Sequence, residues 1–254
     1  MQVISIPEKE KTEQISINAG EHLVGEFIGD ERGVSLIIVG SVHGNEPSGL
    51  LAMRRVVSKL EKLKDNLHGR VFLIAGNTRA LQKNVRFIDY DLNRHWTLEN
   101  VARNQPHSKI STNKNEDIEQ AEILEILERI FLTAKDEVYA MDLHSTSAES
   151  VPFAMIGDTL RNREFARKFP ATFLLGIEEQ LDGTILEYIN NLGAITLGFE
   201  AGQHATKAAV DNQEALIWLA LVNSGILSKE DFDFEHYEEI LKNAMNGHKR
   251  IIEI

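Results

Sequence analysis

The stretch Val34-Ser-Leu-Ile-Ile-Val-Gly-Ser-Val-His43-Gly-Asn-Glu46-Pro47 sets the pattern for the rest of the chain. Its residues 34–42 form a short apolar run typical of a buried strand, and Pro47 suits the first turn of a following helix. The apolar stripe of that helix consists of Leu50, Met53, Val57 and Leu60. A strand followed at once by an amphipathic helix is the repeating unit of mainly parallel sheets.

The same alternation of short apolar runs and longer amphipathic segments continues along the chain. Further strands are predicted at residues 71–75, 138–143, 152–156, 173–175, 194–199 and 250–254. Further helices are predicted through residues 123–131 and at 160–169, 184–191, 208–221 and 235–244. The polar stretch 95–116 is predicted to be a long loop or a poorly ordered arm, with Asp117 and Gln120 as candidate caps of the helix that follows. The sequence therefore indicates an α/β fold with a mainly parallel sheet.

Composition narrows the classes of function. The 254 residues include 27 Lys and Arg against 39 Asp and Glu, a net charge of −12, which argues against nucleic-acid binding. No apolar run approaches the ~18 residues that span a bilayer. The first residues resemble neither a secretory signal nor a transit peptide, so we expect a cytoplasmic protein without a membrane partner. Because cysteine is absent, any metal ligands must come from His, Asp or Glu.

Residues able to bind or activate a metal ion stand where three predicted strands end. His43 and Glu46 follow the first strand, His144 follows the strand at 138–143, and Glu200 follows the strand at 194–199. In open parallel sheets the carboxyl ends of the strands border the ligand crevice, so these side chains are expected to meet there.

Two imidazoles and one carboxylate with an open fourth position make a catalytic zinc site. We therefore predict that His43, Glu46 and His144 bind one Zn²⁺ per chain, with Glu200 as the general base. Asp142 precedes His144 by two residues and would share its side of a strand, where it can orient the imidazole. The residues alone leave open that the histidines are ordinary loop and strand-end residues.

A second polar cluster follows the strand at 71–75 and can reach the same crevice. Arg94 offers a two-pronged guanidinium suited to a carboxylate, with Asn93 beside it, and Arg86 can stabilise charge on an attacked carbonyl oxygen. Asp91 is expected to orient a side chain of the site without contacting metal or substrate itself, or to neutralise one arginine. Solvated arginines in a polar segment are the alternative interpretation.

Together these motifs resemble the succinylglutamate desuccinylase/aspartoacylase family. The motifs are His43-Gly-Asn-Glu46, Asn77-Thr-Arg-Ala, Asp91-Leu-Asn93-Arg94, Asp142-Leu-His144-Ser-Thr and Gly-Phe-Glu200-Ala-Gly. The resemblance implies a three-layer, zinc carboxypeptidase-like α/β fold with a mixed sheet and helices on both faces. It also implies hydrolysis of an N-acyl amino acid. By resemblance, Arg86 polarises the scissile carbonyl, and Asn93 and Arg94 hold the α-carboxylate.

The sequence departs from the family pattern at two places. Aspartoacylase-like members carry a further arginine shortly before the glutamate that matches Glu200, and the corresponding stretch 183–193 here has none. The resemblance therefore argues against N-acetylaspartate as substrate. Longer relatives continue into a C-terminal β-rich domain, so we expect residues 1–254 to form a single catalytic α/β domain, with that second domain absent or cut off.

Three functions stay open at this level. The leading one is a zinc amidohydrolase that acts on a small N-acyl amino acid, and the others are a carboxypeptidase for short peptides and a non-catalytic metal-binding relative. The final Ile-Ile-Glu-Ile would leave an apolar edge exposed unless it pairs with the sheet edge or with a second copy, or unless a further domain follows. Homo-oligomer formation is left open.

Overall fold

A computed structural model describes residues 4–5, 14–105, 113–177, 180–245 and 251–253. The strands are β1 (Ile4–Ser5), β2 (Gln14–Ile15), β3 (Leu23–Ile28), β4 (Ser35–Gly40), β5 (Arg70–Ala75), β6 (Val138–Thr146), β7 (Phe153–Met155), β8 (Phe173–Leu175), β9 (Ile195–Gln203) and β10 (Ile251–Glu253). The helices are α1 (Ser48–Leu60), α2 (Thr78–Lys83), α3 (Leu98–Arg103), α4 (Asn115–Thr133), α5 (Leu160–Ala166), α6 (Ile185–Asn191), α7 (Lys207–Asn223) and α8 (Phe234–Ala244).

Eight strands form a mixed sheet in the order β10-β8-β7-β9-β6-β4-β5-β3. The central strands β9, β6, β4 and β5 are parallel to one another. Two antiparallel pairings interrupt this direction, β3 with β5 at one edge and β7 with β9 further across. Strands β1 and β2 form a separate antiparallel pair.

Alternating side chains of the central strands divide the hydrophobic core into two layers. Leu36 and Ile38 of β4 face one core with helices α1, α7 and α8, whereas Ile37 and Val39 face a second core with α4 and α6. A strand buried on both faces needs a continuous apolar run, and β4 is one. The predicted three-layer α/β fold with helices on both faces is confirmed.

Residues 106–112 of the predicted loop 95–116 lie outside the described residues, and the prediction is partly wrong for the rest of that stretch. It contains α3, whose only buried apolar side chain is Val101, so the segment carries no helical hydrophobic period. Helix α4 begins at Asn115, and Asp117 does not cap it. The Asp117 carboxylate instead accepts hydrogen bonds from His95 and Asn104, at 3.0 and 2.8 Å, which ties α4 to the preceding segment.

Of the two edge strands of the large sheet, the sequence predicts β10 and does not predict β3. The C-terminal strand β10 pairs in parallel with β8, with Ile251 opposite Phe173, so pairing with the sheet edge is the alternative that the structure bears out. Strand β3 is not predicted, because Gly25 and Glu26 interrupt its apolar residues and Phe27 is its one buried residue. Within the described residues, every helix is too short or too polar to cross a bilayer.

Candidate active site

The loop after β4 brings two candidate ligands together. Ser41 begins this turn in the left-handed region, with φ 59°, and its hydroxyl donates to the carbonyl of Glu46 at 2.9 Å. A Cβ at Gly44 would lie 2.2 Å from the carbonyl carbon of Ala80, so only glycine fits where this loop meets α2. The turn closes with the Glu46 N–H donating to the carbonyl of His43 at 3.0 Å.

His43, Glu46 and His144 form a buried cluster in which one ligand atom from each lies within 4.8 Å of the others. The Nδ1 atom of His43 is 2.8 Å from Oε1 of Glu46, and Nδ1 of His144 is 3.2 Å from Oε2 of the same carboxylate. Both imidazoles therefore point the same ring nitrogen at one carboxylate. This donor set fits a zinc ion, which takes three such protein ligands in catalytic sites.

A second carboxylate lies behind each imidazole. Nε2 of His144 is 2.7 Å from Asp142, and Nε2 of His43 is 3.1 Å from Asp91. Burial would raise the pKa of Asp91, but the hydrogen bond and charge of His43 and the pairing with Arg86 outweigh it and lower the pKa well below the usual range. An ionised carboxylate on the outer nitrogen fixes the ring orientation and leaves Nδ1 for a metal ion.

Glu200 lies beside His144 in the sheet, because the two residues are register partners in the adjacent strands β9 and β6. Its Oε2 atom is buried without a hydrogen-bond partner among the described residues. Burial raises the pKa of Glu200, and the charges of Glu46 and Asp142 add to the rise against the opposing charge of His144. A carboxylate with a raised pKa and a free oxygen suits proton transfer.

The polar segment after α2 supplies the positive charge of the pocket. Arg86 donates to Asp91 at 2.8 Å and lies 3.8 Å from Glu46. Arg94 follows in a short 3-10 turn and donates to the carbonyl of Asn93 at 2.7 Å. The side chain of Asn93 is buried, with its NH₂ group 3.1 Å from Nε2 of His144 and its carbonyl accepting the N–H of Ile185 at 2.9 Å.

All the predicted site residues except Asp91 line one pocket of about 310 Å³. Asp91 contacts two of those lining residues, His43 and Arg86, from behind. His204 also lines the pocket, with Nδ1 2.8 Å from the hydroxyl of Ser145, and burial lowers its pKa.

Sequence reasoning missed the residue that anchors the arginine-bearing loop. Glu116 is fully buried at the start of α4, where its carboxylate accepts the backbone N–H groups of Ile88 and Asp89 at 2.8 and 2.9 Å. It also accepts the side-chain amide of Asn77 at 3.0 Å. The sequence gives no signal for this role, since Glu116 stands in an ordinary polar run that resembles a solvated surface.

A second cluster of potential ligands lies outside this pocket and consists of His22, Glu119 and Glu122. Arg79 already pairs with both carboxylates, at 2.6 and 2.7 Å. His22 bridges the carbonyl of Ala75 and the carboxylate of Glu122, at 2.7 and 3.0 Å. The histidine and the arginine satisfy the acidic charge, so the cluster is a structural ion network.

Fold and site together define a class, namely three-layer α/β proteins that carry a His-Glu-His cluster at the carboxyl ends of the central strands. The comparison with family models agrees with this class. Residues 32–224 match the succinylglutamate desuccinylase/aspartoacylase catalytic domain, so the chain belongs to that family. The resemblance found in the sequence motifs is thereby confirmed.

The individual curated relatives share low sequence identity with this chain. The succinylglutamate desuccinylase of Pseudomonas paraeruginosa is 28% identical over 115 residues, which are 45% of this chain and 32% of that protein. The chain thus matches about a third of the length of this curated relative. Members of the family are named desuccinylases and aspartoacylases, which are names of hydrolases.

The fold of this chain resembles the folds of several solved structures. The succinylglutamate desuccinylase from Chromobacterium violaceum aligns with a TM-score of 0.62 at 18% identity, over 81% of this chain and 70% of that chain. The product-bound ectoine utilization protein EutE (DoeB) from Ruegeria pomeroyi aligns with a TM-score of 0.59 at 19% identity, over 77% of this chain and 59% of that chain.

Proposed function

We propose that this protein is a zinc-dependent amidohydrolase that removes the acyl group from a small N-acyl amino acid. The observation that carries the proposal is the pairing of a three-ligand cluster with Glu200, whose unpartnered buried oxygen lines the same pocket. A pocket of about 310 Å³ is at the small end of ligand sites, which favours an acyl amino acid over a peptide.

His43, Glu46 and His144 would hold the zinc ion, with Asp91 and Asp142 orienting the two imidazoles. When bound, zinc supplies a Lewis acid that polarises the amide carbonyl and makes water a better nucleophile at neutral pH. Glu200 accepts a proton from the attacking water as the new C–O bond forms. It then gives that proton to the amine nitrogen as the C–N bond breaks, leaving a carboxylate and an amino acid.

The two arginines have different tasks in this proposal. Arg86 reaches the pocket beside the ligand cluster and stabilises negative charge on the former carbonyl oxygen. Arg94 is exposed at the pocket wall, where its guanidinium can bind the carboxylate of the amino-acid part.

The experiment compares Glu200→Gln with the matched control Glu164→Gln, which makes the same change at an exposed position on α5. We expect Glu200→Gln to keep its zinc content and to lose roughly 10²–10⁴-fold in kcat, the usual range for general acid–base catalysis. The control should retain full activity. Hydrolysis by the wild-type protein after complete zinc removal, or full activity of Glu200→Gln, would contradict the mechanism.

A further inference from the structure

Three apolar side chains line the pocket and are together called its apolar wall. They are Met155 at the end of β7, Leu181 before α6 and Leu186 on α6. Met155 and Leu186 are only 9% and 3% exposed, so both side chains are buried. Buried apolar side chains in a ligand pocket favour an apolar part of the ligand.

The sheet places this wall next to the reacting centre. Asp142, Gly198 and Met155 are register partners across β6, β9 and β7, so their side-chain positions share one face. His144 and Glu200 lie two residues further along the same strands and on the same face. Since Gly198 has no side chain and lines the pocket, the space above it connects the ligand cluster to Met155.

The pocket has one cationic side chain available to bind a substrate carboxylate. Arg86 is already paired with Asp91 at 2.8 Å. Burial lowers the pKa of His204, which favours its neutral form. Arg94 alone among the cationic lining residues contacts a backbone carbonyl and no carboxylate within the described part of the chain. A second substrate carboxylate would find no further such cation among the described lining residues, and an unpaired buried charge is costly.

We propose that the site selects N-acyl amino acids that carry a single carboxylate and an uncharged aliphatic group. The carboxylate binds Arg94, and the aliphatic group, in the acyl part or the side chain, packs on Met155, Leu181 and Leu186. This inference rests on the proposed hydrolase function and makes the three apolar residues its specificity determinants.

The test is a substrate panel for the zinc-loaded wild-type protein. It compares N-acetyl-L-leucine, N-acetyl-L-methionine and N-butyrylglycine with N-acetyl-L-aspartate and N-succinyl-L-glutamate. We expect kcat/KM for at least one aliphatic substrate to exceed that for both dicarboxylates by roughly 10–200-fold, the range that apolar pocket contacts supply. Higher kcat/KM for a dicarboxylate would overturn the inference and leave the hydrolase function standing.

A binding measurement separates the two proposals. Calorimetric titration of zinc-loaded Glu200→Gln with the same compounds reports selection without turnover, and we expect the same order of affinities. If the wild-type protein hydrolyses none of the compounds, the proposed function fails. The binding order then decides the inference alone, since tighter binding of the aliphatic compounds supports it and tighter binding of a dicarboxylate refutes it.

A substitution at the wall tests the residues themselves. Leu181 is half-buried, so Leu181→Arg adds a cation there, and Leu160→Arg, which adds the same cation at an exposed position on α5, is the matched control. We expect Leu181→Arg to shift the ratio of kcat/KM towards N-acetyl-L-aspartate by at least about tenfold, whereas Leu160→Arg keeps the wild-type ratio. An unchanged ratio in folded Leu181→Arg would remove Leu181 from the proposed determinants.

Discussion

At the scale of single residues, substitution of Asp142 tests whether a carboxylate behind an imidazole orients that imidazole for metal binding. Its carboxylate lies 2.7 Å from Nε2 of buried His144, and Nδ1 of His144 faces Glu46. We expect Asp142→Asn to weaken zinc binding by roughly 10–100-fold, the usual cost of losing a partner behind a metal-binding histidine. Competition with a chelator measures this change. The exposed Asp65→Asn variant is the control, and equal affinities in the two variants would contradict the assignment.

Residues near the pocket differ in how far the sequence predicts them. His43, Glu46 and His144 were predicted to meet because each stands at or near the carboxyl end of a central strand, and the structure brings them together. Glu116 and Met155 were not predicted, because their place at the site depends on the docking of α4 and on the antiparallel direction of β7. Such contacts are set by tertiary packing and leave no local pattern.

At the scale of elements, His22 ties the start of β3 to β5 and α4. Burial alone would lower the pKa of His22, but the hydrogen bond to Glu122, the charge of Glu119 and the hydrogen bond to Ala75 outweigh it and raise the pKa above 6.5. Because the folded-state pKa is the higher one, this contribution to stability is fully present below about pH 6.5. It is lost as the pH rises through the folded-state pKa.

The corresponding measurement is the free energy of unfolding of wild type and His22→Gln between pH 5.5 and 9 at a fixed zinc concentration. We expect His22→Gln to be destabilised most at the acid end, with the difference shrinking as the pH rises. His68→Gln, at an exposed loop position, should show no such trend. A difference that stays constant or grows towards high pH would refute the charged role of His22.

Helices and strands were predicted where hydrophobic periodicity is strong. Helix α1 buries one stripe against the sheet, and β4 is buried along its whole length, so both leave clear patterns. Strand β3 is a partly solvated edge strand, and α3 buries one apolar side chain, so neither carries enough of a pattern to be recognised.

At the scale of the whole molecule, the two hydrophobic cores do not involve the ligand cluster. The core residues on either face of the sheet pack α1 and α7 on one side and α4 and α6 on the other. His43, Glu46 and His144 lie at the carboxyl ends of β4 and β6, beyond these cores. The fold is therefore expected to persist without metal, with zinc adding stability through binding to the folded state only.

Zinc removal tests this separation of fold and site. A ligand that binds only the folded state stabilises it by roughly 2.7 kcal/mol at a free concentration one hundred times Kd. For a protein of this size about 1 kcal/mol shifts Tm by roughly 2–4 °C. We expect chelation to lower Tm by several degrees without loss of helical circular dichroism at 25 °C, and zinc to restore it. The His144→Ala variant should show neither response, because the cluster loses one of its three ligands. A Tm that zinc does not change in the wild-type protein would show that the cluster does not bind the ion in the folded state.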